Sequence, residues 1–126
     1  MRYLVEVAYT SESLCAQVNG QTAQLLPRIA PLVKAVDGTV ETAFYTFDNK
    51  DRDLLLIMDF PGPHEAQAFR LAALAGGSLR SFDLTPLVTL GDGEKLFAIA
   101  HEAGQGYRPP VPNPHSSGHV EPVAHW

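Results

Sequence analysis

The chain has 126 residues, 45% of them hydrophobic, one cysteine and a formal charge of −5 with only nine Lys and Arg. That is enough apolar material for one core, and a scattered minority of cations gives no basic stripe to neutralise phosphates, which argues against a nucleic-acid partner. The longest apolar run, Leu54 to Met58, falls far below the roughly 18 residues of a membrane span. Residues 1–3 lead straight into strand-like alternation without an apolar leader, and Cys15 stands alone, so a cytoplasmic protein with an ordinary thiol is expected.

Residues 2–10 place Tyr3, Val5, Val7 and Tyr9 on one face and Leu4, Glu6, Ala8 and Thr10 on the other, which is a first strand. Ser11 caps a short helix to Val18, broken by Asn19-Gly20. Leu25/Leu26, Ile29, Leu32/Val33 and Val36 recur at helical spacing before Asp37-Gly38. Pro27 and Pro31 each remove an amide donor, so this helix is expected to start late, with Pro27 in its first turn.

Residues 39–48 are β-branched and aromatic, Asn49 to Arg52 make a polar turn, and residues 53–60 return as a hairpin strand whose apolar run suits cover on both faces. Pro61-Gly62-Pro63 ends that strand, and Ala66, Phe69, Leu71, Ala73 and Leu74 make a helix closed by Gly76-Gly77. Residues 79–89 resume as a strand, with Pro86 requiring an edge position or a bulge. Asp92 is then the expected cap of a last helix running from Gly93 to Ala103.

The order βαββαβ followed by a helix is the split βαβ pattern, a ferredoxin-like α+β domain over residues 1–103 with a four-stranded antiparallel sheet. Its helices cover one face of the sheet. The other face carries apolar positions, and two arrangements would bury them: a homodimer with sheets face to face, which is preferred, or the last helix or tail folding over the sheet within one chain. From Gly104 onward the composition shifts to a Pro- and His-rich tail holding half of the ten prolines, His115, His119, His125 and the only tryptophan, Trp126. Such a segment suits an extended strap or tail, docking on a neighbouring subunit or another protein.

The stretch from the Gly38 helix stop through Phe44-Tyr45-Thr46-Phe47 to Asp53 and its apolar strand resembles the GYD-domain family of small α+β proteins. The likeness continues through Pro61, Gly76-Gly77, Thr85-Pro86-Leu87 and Glu94, covering roughly residues 1–103 and sparing the tail. Asp53 stands where the family carries the Asp of Gly-Tyr-Asp, with Asp51-Arg52 in place of Gly-Tyr. The resemblance implies a domain of the dimeric α/β-barrel kind, a superfamily of cofactor-free monooxygenases, isomerases, cyclases, haem-binding enzymes and small-molecule sensors.

Paired sheets with helices outside leave a cleft between sheet and helices for a small apolar or aromatic ligand. Tyr9 and Tyr45, at strand ends, are candidate hydrogen-bond donors, and buried tyrosines that only satisfy their hydroxyls are the plainer reading. His64, at a helix start where the dipole disfavours imidazolium, is a candidate base or else a solvated first-turn residue. Asp53, Asp59 and Arg80 are candidate ligand-binding groups. The two aspartates bracket one strand about 20 Å apart, which excludes a paired-carboxylate site. Three tail histidines invite a metal reading, yet nothing nearby fixes their geometry, so no metal is assigned. Haem, for which His64 and His101 are the available ligands, is disfavoured, and no cofactor is expected. The expected function is a cofactor-independent enzyme with Tyr9, Tyr45 and His64 as catalytic groups. The alternative is a noncatalytic binding or interaction module.

Overall fold

A computed structural model describes residues 1–110. The tail histidines 115, 119 and 125 and Trp126 lie outside the described residues, so the docking and metal readings attached to them do too. The chain divides into two units, Met1–Val88 and a second beginning at Thr89.

The first unit is α+β. Its elements are β1 (Arg2–Tyr9), α1 (Ser11–Val18), α2 (Leu25–Ala35), β2 (Thr39–Tyr45), β3 (Leu54–Asp59), α3 (Pro63–Ala75) and β4 (Leu79–Pro86). The four strands form one antiparallel sheet in the order β2-β3-β1-β4, compatible with a ferredoxin-like fold. β4 is an edge strand, which is why Pro86 is tolerated at its end. α2 begins two residues before Pro27, leaving that proline in the first turn, while Pro31 lies inside the helix.

Side-chain alternation decides the core. Tyr3, Val5, Val7 and Tyr9 of β1, with Leu54, Leu56 and Met58 of β3, are buried on the face covered by α2 and α3. Phe60, Phe69 and Phe82 continue this layer as a chain of tilted and edge-to-face rings 5.5 and 5.9 Å apart, and Tyr3 meets Phe60 at 5.7 Å. Burying each such side chain contributes on the order of 1.5–3 kcal/mol. The opposite face carries half-buried Leu4, Leu55 and Ile57, with Phe44, directly across from Leu55, 62% exposed. Arg52 reaches from the start of β3 across β1 to pair with Asp83 on β4.

Gly38 and Asp37 divide the helix stop between them. Asp37 itself takes the left-handed conformation, φ 55°, while a Cβ on Gly38 would stand 3.1 Å from the ring of Phe60. Phe60 is 1% exposed and has nowhere to retreat. Gly38→Ala is therefore expected to cost about 1–3 kcal/mol through overpacking, read as a lower midpoint in urea unfolding with an unchanged slope.

The second unit contains α4 (Leu90–Gln105). Asp92 is not its cap. The helix starts earlier than the sequence suggests because the Thr89 hydroxyl accepts from the Asp92 amide at 3.1 Å, leaving Asp92 in the first turn beside Lys95. Among the described residues no helix is long and apolar enough to cross a membrane.

Candidate functional site

β1 ends at Tyr9, and its two-residue period brings that side chain onto the helix-covered face with Val5 and Val7. Thr10 turns the chain at once into α1 by accepting from the Ser13 amide at 3.1 Å. On α2, Leu25, Arg28, Ile29 and Leu32 share one face at helical spacing and line the same space as Tyr9. Between the sheet and these helices lies a cavity of about 210 Å³. Its inner wall is apolar, built from Val7, Leu54, Leu56, Phe69 and Phe82. Tyr9, Arg28, Ser13, Gln17, Thr22 and Ser78 are its polar members. An outer hollow of about 350 Å³ shares Tyr9, Gln17, Leu25 and Arg28 and extends to Tyr45 and Phe47.

Arg28 dominates the electrostatics. Its guanidinium donates to the Ala23 carbonyl at 2.7 Å and to the Tyr9 hydroxyl at 3.3 Å. Among the described residues no carboxylate lies within ion-pair distance of it. A guanidinium carries five N–H donors, so this half-buried cation retains capacity for an anion. No Asp, Glu, His or Lys lines either the cavity or the outer hollow among the described residues.

In comparisons with family models, with curated proteins and with solved structures, nothing matches this chain. The site's chemistry follows from its own groups. Burial pushes the Tyr9 phenol above 10.0, the Arg28 guanidinium beside it pulls back, and Tyr45 and Asp53 push it up further. Tyr9 is thus a neutral donor at pH 7. Because the folded value is raised, its contribution to stability is complete below the ordinary tyrosine pKa and is lost as pH rises through the folded value. Tyr9→Phe is expected to remove that part of the alkaline decline, measured by denaturant unfolding of both proteins across the alkaline range.

Of the residues singled out from sequence, Tyr9 and Tyr45 meet at this end of the sheet. Tyr45 stacks on Phe47 with ring centres 4.9 Å apart and planes 11° from parallel. Asp53 is beside them, but its carboxylate accepts from the Tyr9 amide at 2.8 Å, and its own amide donates to the Val7 carbonyl at 2.8 Å. It positions Tyr9 by tying the start of β3 to the end of β1.

The other three lie elsewhere. His64 is exposed in the first turn of α3, which follows the far end of β3. Asp59, also at that end, accepts from the Met1 amino group at 2.8 Å, and this hydrogen bond holds its carboxyl below the usual range. Arg80 is the extra residue of a bulge opposite Ala8/Tyr9 and donates to the Lys50 carbonyl at 3.4 Å, away from the cavity. Among the described residues no group of three or more His, Cys, Asp or Glu is arranged to hold a metal ion.

Arg28, Ser13 and Gln17 were not singled out from sequence. For Arg28 the signal is present, since it stands three residues after Leu25 and four before Leu32 on the apolar stripe. For Ser13 and Gln17, on a helix whose residues are not fully buried, no comparable pattern exists.

Proposed function

We propose that this chain is a dimeric α/β-barrel domain of the GYD kind that binds a small organic anion with an apolar body in the cavity behind Tyr9. One observation carries the reading: a half-buried guanidinium without a carboxylate partner among the described residues, hydrogen-bonded to a buried phenol at the rim of an apolar cavity. The apolar wall supplies affinity, and Arg28 with Tyr9 supplies orientation and charge recognition. A volume near 210 Å³ suits one ring or a short branched chain, given that a cavity of about 150 Å³ holds benzene.

The raised Tyr9 pKa favours a second reading, catalytic and cofactor-independent. A neutral phenol and a guanidinium side by side stabilise negative charge developing on a substrate oxygen, as in enolisation, isomerisation or cyclisation of a carbonyl compound. Tyr9 in this reading donates a hydrogen bond and does not act as a base. The two readings separate in one experiment: once a bound anion is identified by native mass spectrometry of freshly purified protein, incubation with it yields product only under the catalytic reading, and Tyr9→Phe lowers that turnover more than it lowers binding.

The dimer is supported by the open sheet face, where Leu4, Leu55, Ile57 and Phe44 form an apolar strip flanked by the Arg52–Asp83 pair. Two copies packing these faces together would bury the strip. Light scattering is expected to give twice the chain mass. Phe44→Glu, which plants a charge in the strip, is expected to shift the population to monomer. A native protein that stays monomeric at high concentration contradicts the assembly.

A further inference from the structure

The cavity and the outer hollow are contiguous through Tyr9, Gln17, Leu25 and Arg28, so the cation lies at the junction of two compartments of different character. The inner one is lined mainly by aliphatic side chains and core phenylalanine rings. The outer one is bordered by Tyr45 and Phe47, 46% and 70% exposed, stacked nearly parallel. Stacking between these two holds their rings in one orientation without burying them. Exposed aromatic side chains held rigid form a platform for a further planar group, and such contacts are specific in geometry.

We infer that the ligand is a two-part anion, with its charged group on Arg28, a short aliphatic or single-ring part in the inner cavity, and a planar aromatic part against the Tyr45–Phe47 platform. This rests on the anion-binding reading and deepens it by naming the substrate class. N-Aroyl derivatives of apolar amino acids have this layout: the carboxylate and side chain branch from one carbon, and the aroyl group extends from the neighbouring nitrogen. The outer hollow, at about 350 Å³, is large enough for one such ring. Phe47 is then a specificity-determining residue, acting on the planar part and not on the charge.

The test titrates the full chain with N-benzoyl-leucine and N-acetyl-leucine, which share the carboxylate and the aliphatic part and differ in the ring. The native protein is expected to bind the benzoyl compound roughly 3- to 10-fold more tightly, the scale of one aromatic contact. Phe47→Ala is expected to erase that preference while leaving N-acetyl-leucine unaffected, and Phe47→Trp to keep it. Phe47 is exposed, so neither variant threatens the fold. If both compounds bind and Phe47→Ala leaves their ratio unchanged, the platform assignment falls while the anion site stands. If neither binds the native protein, and a panel of simple aliphatic and aromatic carboxylates also fails, the anion-binding reading falls and takes this inference with it.

Discussion

Arg28→Gln is expected to weaken binding of apolar carboxylates by about 10- to 100-fold, the scale of one charge-assisted hydrogen bond in a partly desolvated site. Glutamine keeps an amide donor and much of the length, so the loss reports the charge and its fork geometry. Arg28 is half-buried, and the described residues offer it no carboxylate whose own charge would be stranded by the change. The fold should therefore survive. Loss of the guanidinium also removes the one group pulling the Tyr9 pKa down among those acting on it, so the phenol is expected to titrate still higher in the variant. Isothermal titration gives the affinity, and a spectroscopic titration of tyrosinate gives the second, independent result. Unchanged affinity with a folded variant would remove Arg28 from the site.

Phe60→Ala is expected to produce the largest loss of stability, about 3–5 kcal/mol. Phe60 is 1% exposed and sits where several constraints meet. Tyr3 packs edge-on at 5.7 Å, Phe69 tilts against it at 5.5 Å, and Gly38 closes from the side. Truncation leaves a void in a core where Met58 and Val5 are likewise completely buried, and close-packed surroundings relax only partly around such a void. Against a total of roughly 5–15 kcal/mol for a small domain, the variant stands near its limit. Its thermal midpoint is expected to fall by more than about 10 °C, at ~4–8 °C per kcal/mol. Cavity binding should weaken little in whatever fraction remains folded, because Phe60 does not line the cavity.

The sheet and its core face were legible because strands alternate: Tyr3, Val5, Val7 and Tyr9, grouped on one face in sequence, are all buried in β1, and Ala8 of the other face is the one further buried residue of that strand. Element limits were less so. β2 stops at Tyr45 and not at Asp48, since beyond it the backbone turns and Thr46 donates to the Asp53 carbonyl at the neck of the hairpin. The site was half legible. Tyr9 and Tyr45 meet because antiparallel pairing sets the end of β1 beside the start of β3, with the end of β2 on the other side. The same pairing separates His64 from them, because α3 begins only after β3 has crossed the sheet to its other end. Arg28 escaped because a charge within an apolar stripe is read first as the polar border of a helix. Its inward role emerges only when Tyr9 is seen to approach it from another element, 19 residues away in the chain.

The most direct test of the anion site is an NMR titration of the native protein with N-acetyl-leucine at constant ionic strength. Concentration-dependent, saturable shifts at Tyr9, Thr22, Leu25 and Arg28, absent when chloride replaces the carboxylate and abolished by Arg28→Gln, are the predicted result. Saturable shifts that gather instead around His64 and Asp59, or on the open sheet face at Leu4 and Ile57, would contradict it.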